Sequence, residues 1–544
     1  MIDFVDKIPK RLLIAVSGLL LGLTVIYARL GILAYIALIP LGIALFGKLN
    51  SGEYKKRAAY LDGFIFYMGF DLVCFHWFIY FYPLEFAGFN YAESVLIIAL
   101  AWVGLSLLQS VFSALVFVFI SVLSRTVIYK RSPVLMPFFV AALFTANEWT
   151  QTFTWAGVPW GRIAISQTEM PILMQSASLF GSYFLTFIVV LINMLLAYAI
   201  VNIEKRRFLA LSALGIFAAN ALFGTVAYFV PASDEERSIT VAAVQGNFPS
   251  QTNYGATAVE VYKTYEKLTI EAAEAGADVI IWPEGTFSIE PDRYFIYDGK
   301  LLTLGERVSS LAGESGATVI IGSYTINSEN QLLNSMSVYY ENGERIEGAY
   351  SKMKRVPFGE YVPMRDLITT LLPILGEINV LGTDVYRGDG YKTYPAFAEE
   401  GSAQIGTLIC FDSIYEETAL SMAREGAEML IVPSNDSWFY DSRALNMHHS
   451  QNILRAVETG KYTVNCGNTG MTSIVSDKGE VLVQIPIFED GYAIGTVSPS
   501  SVRTLYSYIG NLFVYLCVAF VIASIIIEGV IRLKNKKNYK KPLL

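Results

Sequence analysis

Histidine and cysteine are scarce in this chain: its 544 residues hold three of the first and four of the second. Cys74 and Cys517 fall in long apolar runs, and Cys410 and Cys466 stand apart in the one long polar stretch. That scatter excludes a disulfide framework and a Cys/His zinc pattern. No G-x-S-x-G stretch occurs, which removes the nucleophile elbow of serine hydrolases. Charge is short as well. Charged residues make up 16% of the chain, against about 25% in soluble globular proteins. The net charge of −8 argues against a nucleic-acid partner, because no basic surface dominates. Internal repeats and low-complexity segments are missing too.

What the chain has is apolar length, with 53% hydrophobic residues. Seven apolar runs come first: Leu12–Ala28, Leu30–Gly47, Gly63–Tyr82, Val95–Leu123, Val134–Trp149, Leu179–Ile203 and Phe208–Phe229. A polar region follows, and an eighth run, Tyr508–Ile531, closes the chain. Crossing a bilayer takes about 20 apolar residues, so the second and fifth runs are near the lower limit. Basic residues test the count. They cluster at Lys7, Lys10 and Arg11, at Lys48 and Lys55–Arg57, at Arg125, Lys130 and Arg131, at Lys205–Arg207, and from Arg532 to Lys541. With eight spans, every cluster lies on one side. Basic loops are cytoplasmic, so the sequence predicts both termini in the cytoplasm and the polar region outside. The domains expected are residues 1–230, a membrane part with seven spans; 231–505, an external domain; and 506–544, the eighth span with a basic tail. Trp149, Trp155 and Trp160 suit an aromatic belt at the outer interface. Asp62, Asp71, Glu148 and Glu528 are the acidic residues in or beside the spans, and they outline no ion pathway.

The external region alternates strand and helix patterns. Ser238–Asn247, Asp278–Gly285, Ala317–Tyr324 and Met429–Asp436 are short, apolar and β-branched, as strands covered on both faces are. Ala258–Gly276 carries apolar residues at helical spacing and ends in glycine. A layered α/β domain is expected. Reactive side chains stand at strand ends, where such domains meet ligands: Glu284 ends "VIIWPE", Cys410 ends "IGTLIC", and Lys352 follows the strand-like "SVYYENGERIEGAY". Each alone has an ordinary reading: a core cysteine, a solvated glutamate, a surface lysine. Together they offer a thiol, a base and a cation. His448 and His449 are adjacent and read as a pair on a helix surface, with a papain-like Cys–His arrangement as the alternative.

Three motifs then carry a resemblance. "WPEG" with Glu284, "SKMKRVPFGEYVP" with Lys352 and "LICFDSIYEE" with Cys410 resemble the Glu-Lys-Cys triad of the nitrilase superfamily. "VPFGEYVP", "SNDSWF" and "AGVPWGR" are more particular, and with the eight spans the whole chain resembles the bacterial apolipoprotein N-acyltransferases. The resemblance implies an eight-span helical membrane bundle carrying an external α-β-β-α sandwich of nitrilase type. It implies an enzyme of the bacterial inner membrane with its catalytic domain in the periplasm. The acyl chain would come from a phospholipid, rest on the cysteine as a thioester, and pass to the α-amine of a diacylglyceryl-cysteine at an apolipoprotein N-terminus. Glu284 would be the base, Lys352 the oxyanion stabiliser, Cys410 the nucleophile and Glu360 a supporting carboxylate. A monomer is implied.

The chemistry fits those types. A thiol with an ordinary pKa near 8.5 needs a base at neutral pH. Lys352, with the backbone N–H of Phe411, would face the tetrahedral oxyanion. No metal or organic cofactor is required. Phe411-Asp412 stands where the family carries Tyr-Glu, and Tyr254 stands where a tryptophan is expected. Leu371 and Leu372 lie in the apolar stretch Leu367–Gly382, which reads as an arm touching lipid or as a buried helix. Trp438 and Phe439 are candidate walls for the acyl chain or core residues. A membrane-tethered amidase and a transporter with an inactive nitrilase-like domain are the competing readings. Seven spans exceed what an anchor needs, and all three triad types are present.

Overall fold

The computed structural model describes residues 8–51, 54–85, 88–230, 237–249, 258–287, 291–297, 299–371, 384–398 and 401–538. The chain divides into two compact units, one built from Met1–Phe78, Ala99–Phe229 and Ile509–Leu544, the other from Ile79–Ile98 and Val230–Tyr508.

The first unit is helical. Among the described residues, five stretches are long and apolar enough to cross a membrane: Ala28–Asn50, Tyr91–Leu123, Ser182–Val201, Arg206–Phe229 and Leu512–Lys534. The other three of the eight expected runs also form helices, Lys10–Ile26, Lys56–Cys74 and Met136–Thr150. Two of these, at 17 and 15 residues, fall short of the roughly 20 that a span needs. The third contains Lys56, Arg57, Asp62 and Asp71. Glycine sets one close helix pair. A Cβ on Gly18 would stand 2.2 Å from the carbonyl oxygen of Phe66, so Lys10–Ile26 lies directly on the backbone of Lys56–Cys74, as small residues allow in membrane helices.

The second apolar run is broken near Leu38, ahead of Pro40. Freed backbone groups cannot be left bare in an apolar setting. Asn193, inside the Ser182–Val201 helix, meets them: its Oδ1 accepts from the Leu38 N–H at 2.8 Å and its Nδ2 donates to the Ala34 carbonyl at 2.8 Å. The buried acids are satisfied too. Asp62 pairs with Arg11 and Lys48. Asp71 accepts from Ser110 Oγ at 2.9 Å. Glu148 accepts from the Ile163 N–H and Thr186 Oγ1. Glu528 accepts from Arg532 and the Val127 N–H. Trp160 departs from the aromatic-belt expectation, since it is buried beside Trp77 with ring centroids 5.4 Å apart.

The second unit contains two six-stranded sheets and a small hairpin. Its strands in chain order are β1 (Ile239–Gln245), β2 (Val279–Ile281), β3 (Tyr294–Tyr297), β4 (Lys300–Thr303), β5 (Thr318–Ile326), β6 (Leu332–Tyr339), β7 (Arg345–Ser351), β8 (Tyr394–Ala398), β9 (Gly401–Thr407), β10 (Met429–Ser434), β11 (Thr463–Gly467), β12 (Ser473–Val475), β13 (Val481–Gln484) and β14 (Gly491–Val497). One sheet runs β14-β1-β2-β5-β6-β7, the other β13-β12-β11-β10-β9-β8, and β3-β4 forms the hairpin. The expected single strand before Lys352 is a hairpin, β6 and β7. Gly343 turns the chain there at φ +85°, a conformation that glycine adopts without strain.

Period-two alternation makes the layers. Val241 and Ala243 of β1 join a core shared with Ile405, Ile431 and Val464 of the second sheet. Ala242 and Val244 face Tyr262, Tyr265 and Leu268 of the Ala258–Glu274 helix and Val308 and Leu311 of Leu304–Ser315. Helices Glu416–Arg424 and Arg443–Thr459 accompany the second sheet, giving helix, sheet, sheet, helix. Cys466 sits in the shared core, its thiol donating to the Ile281 carbonyl at 3.1 Å.

Candidate active site

Three strand ends deliver the reactive groups. Glu284 follows β2 and Lys352 follows β7 directly, while Cys410 stands three residues past the end of β9. The Glu284 loop lies tight on β5 because position 322 has no side chain: a Cβ on Gly322 would be 2.2 Å from the Pro283 carbonyl oxygen. Lys352 is anchored by its N–H to the Asn334 carbonyl at 2.8 Å. Glu360 ends a turn in which its own N–H donates to the Val356 carbonyl at 2.9 Å.

These loops assemble a buried cluster. Lys352 Nζ donates to Glu284 Oε1 at 2.7 Å and to Glu360 Oε1 at 3.0 Å. Asn334 Nδ2 bridges the same two oxygens at 2.8 and 3.1 Å. The remaining oxygens accept backbone donors, Glu284 Oε2 from Asn435 at 2.9 Å and Glu360 Oε2 from Val356 at 2.8 Å. Lys352 is 1% exposed and each glutamate 7%, so two carboxylates share one ammonium away from water. Burial opposes the charge on Lys352, but Glu284 and Glu360 overcome it and hold its pKa well above the ordinary lysine value. The cluster is therefore a fixed cation held by two carboxylates.

Cys410 is half-buried and opens a 3-10 turn, Cys410–Ile414. Its φ is +48°. A left-handed conformation at a non-glycine residue costs about 1–3 kcal/mol and persists only where surroundings enforce it. Burial and then Glu284 push the thiol pKa well above its ordinary value, against the pull of Lys352. The resting group is a neutral thiol, and it needs a base before it can attack.

Asp412 ties the cysteine turn to the lysine loop. Its carboxyl accepts from Tyr350 Oη at 2.8 Å, the Lys354 N–H at 2.6 Å, the Met353 N–H at 3.1 Å and the Ile409 N–H at 3.2 Å. Burial raises its pKa to about 7 although Lys352 and these donors pull it down. Phe411 is buried with its ring edge-on to Tyr415. Lys354 is not part of the cluster; it pairs at the surface with Glu417 at 2.7 Å. Trp438 and Phe439 are half-buried on the short turn Asp436–Phe439, and Phe439 stacks on Phe81 with centroids 6.3 Å apart. Leu371 ends the helix Arg365–Leu371; its side chain, Leu372 and Tyr254 lie outside the described residues.

The histidine expectation is corrected. His448 and His449 are both buried, at 1% and 6% exposure, because the Arg443–Thr459 helix is covered nearly throughout. His449 Nε2 meets Ser473 Oγ at 2.8 Å. His448 Nε2 lies 3.2 Å from the Cys410 carbonyl oxygen, behind the nucleophile's backbone. Asn334 and the Asn435 N–H also escaped sequence reasoning. Asn435 stands in the noticed "SNDSWF", and Asn334 has no local signal, since its neighbours in the cluster are 50 and 26 residues away.

Comparison with known proteins follows the same two parts. The carbon-nitrogen hydrolase family model matches residues 240–506, and the model of the apolipoprotein N-acyltransferase N-terminal domain matches residues 17–195. The apolipoprotein N-acyltransferase of Geobacter metallireducens is 28% identical, covering 95% of this chain and 95% of its own. That of Thermotoga maritima is 26% identical over 96% and 94%. The structure of yeast Nit3, a nitrilase superfamily member, is 16% identical with a TM-score of 0.36, covering 52% of this chain and 96% of its own. With both parts matched and such relatives aligned nearly end to end, the chain is similar over nearly its whole length to the apolipoprotein N-acyltransferases.

Proposed function

We propose that this chain transfers an acyl group from a phospholipid, through a thioester on Cys410, to the α-amine of a diacylglyceryl-cysteine at an apolipoprotein N-terminus. The observation that carries the reading is the Lys352 ammonium held between buried Glu284 and Glu360, its loop tied through Asp412 to the turn of a strand-end thiol, in a chain whose helical part matches the family's N-terminal domain.

Glu284 takes the thiol proton as Cys410 attacks the ester carbonyl. The tetrahedral oxyanion is met by Lys352 and the Phe411 N–H; one such donor is worth about 2.7–4 kcal/mol. On collapse the lysophospholipid oxygen leaves with the proton from Glu284. The incoming amine then attacks the thioester, gives its proton to Glu284, and the departing sulfur recovers it. Glu360 and Asn334 hold Lys352 and Glu284 in place, and Asp412 fixes the lysine loop to the cysteine turn. Trp438 and Phe439 line the path of the acyl chain. The alternation of basic clusters supports eight spans in the bacterial inner membrane, both termini cytoplasmic and the nitrilase-like domain periplasmic. The protein acts as a monomer.

The test is direct. Purified protein given labelled phospholipid and no acceptor gains one acyl chain on Cys410, and neutral hydroxylamine removes it. A peptide with a free α-amine discharges the adduct, and its N-acetylated form does not. Acyl transfer by Cys410→Ala, or an adduct on Cys466, refutes the reading.

A further inference from the structure

The left-handed turn at Cys410 needs something to enforce it, and the enforcing contacts reach the nucleophile from behind. Ser413 Oγ donates to the Cys410 carbonyl at 2.9 Å and lies 2.9 Å from His448 Nε2. His448 Nε2 is also 3.2 Å from that carbonyl oxygen. His448 Nδ1 is 3.0 Å from both oxygens of Asp436, and Asp436 Oδ2 accepts from Ser434 Oγ at 3.0 Å. Ser413 is fully buried, and His448 and Asp436 are 1% and 4% exposed.

The hydrogens can be counted. A carboxylate only accepts, so Nδ1 of His448 carries a proton. The Cys410 carbonyl also only accepts. Were Nε2 bare, its lone pair and that of the Cys410 carbonyl would face each other at 3.2 Å, whichever of them took the Ser413 hydrogen. With Nε2 protonated, the ring donates into the space between the carbonyl and Ser413 Oγ, and the Ser413 hydrogen completes the carbonyl. Every group is then satisfied, as buried polar groups are. Ser413, His448 and Asp436 resemble a hydrolase triad in outline, but Ser413 is sealed from substrate and spends its hydrogen on the cysteine backbone.

We infer that His448, as an imidazolium paired with Asp436, is a positioning residue: it pins the Cys410 carbonyl and holds the strained turn that presents the thiol. This rests on Cys410 being the nucleophile. Burial opposes the charge on His448, but Asp436, the Cys410 carbonyl and Glu284 outweigh it and raise its pKa above the ordinary imidazole value. Asp436, Glu284 and the neighbouring His449, which is held neutral, are the titratable groups that face it, beside the Cys410 carbonyl.

The test uses the full-length protein in detergent, with His448→Gln and Asp436→Asn. Asp436→Asn keeps the shape and an acceptor for Nδ1–H and removes the charge that holds the imidazolium. Single-turnover acylation of Cys410 by labelled phospholipid is expected to slow about tenfold to a hundredfold in both, with half-saturation by phospholipid and the thermal midpoint nearly unchanged. Alkylation of Cys410 by iodoacetamide at pH 7 is expected to slow in parallel, and the Asp436→Asn deficit to shrink as the pH is lowered toward 5.5 and His448 recharges. Wild-type rates in both variants overturn the inference, as does a change in half-saturation alone. Should His448→Gln fail to fold, Asp436→Asn decides. Absence of any adduct in the wild type would instead sink the nucleophile assignment, so the two failures are distinct.

Discussion

Glu284→Gln separates the base from its structural duties. Glutamine keeps the volume of the side chain. Its Oε1 can still accept from Lys352 and Asn334, now at 2.7 and 2.8 Å from Glu284, but its Nε2 then faces the Asn435 N–H, now at 2.9 Å, donor against donor. Turning the amide over is worse, since Nε2 would face the ammonium. One hydrogen bond to a charged acceptor is lost, worth about 1.5–3 kcal/mol. Glu360 keeps Lys352 paired, so the protein stays folded. The neutral amide cannot take a proton, and the thiol, whose pKa burial raises well above normal, stays protonated. General-base catalysis contributes about 10²–10⁴ in rate, or roughly 2.7–5.5 kcal/mol. The assay is the initial rate of acyl-enzyme formation from labelled phospholipid, beside a thermal unfolding scan. Glu360→Gln is the control. Glu360 holds Lys352 and takes no proton in the proposed step, so its variant loses less, about tenfold. Near-normal acylation by Glu284→Gln, or a larger loss in Glu360→Gln, would refute the assignment of the base.

Lys352→Met removes the shared cation and leaves Glu284 and Glu360 facing one another; acylation should fall about 10²–10³-fold, whereas Lys354→Met, which breaks only the surface pair with Glu417, should stay within about threefold. Gly18→Val would drive a side chain into the Phe66 carbonyl and should lower the thermal midpoint or the yield of folded protein; an unchanged midpoint contradicts the close helix pair. His449 gives a pH signature. Burial, with His448, lowers its pKa from 6.5 to about 4. The folded form therefore binds fewer protons than the unfolded form between those values, and stability from this group is lost as pH falls from 6.5 to 4. That loss is about 3 kcal/mol. Asp412, with its pKa raised to about 7, works in the opposite direction over the same window, so the readout is the difference between wild type and His449→Gln in urea unfolding. A difference that stays constant from pH 6.5 to 4 refutes it.

The sequence by itself determined the local elements of this protein. Runs of β-branched apolar residues mark β1, β2, β5 and β10 because both faces of those strands are covered, and the helix from Ala258 was legible because one face packs on the sheet and Gly276 follows its end. The reactive types at strand ends, Glu284, Lys352 and Cys410, were legible as motifs. Tertiary structure decided everything that joins positions far apart. Asn334 bridges Glu284 and Glu360, Asn193 completes the broken backbone at Ala34 and Leu38, and His448 moves from an expected surface to the back of the nucleophile. The physical reason is reach. Periodicity reports which face of an element is covered, but the Asn334 and Asn193 amides find partners 26 and 159 residues away, and only the packed chain brings those donors and acceptors within hydrogen-bond distance.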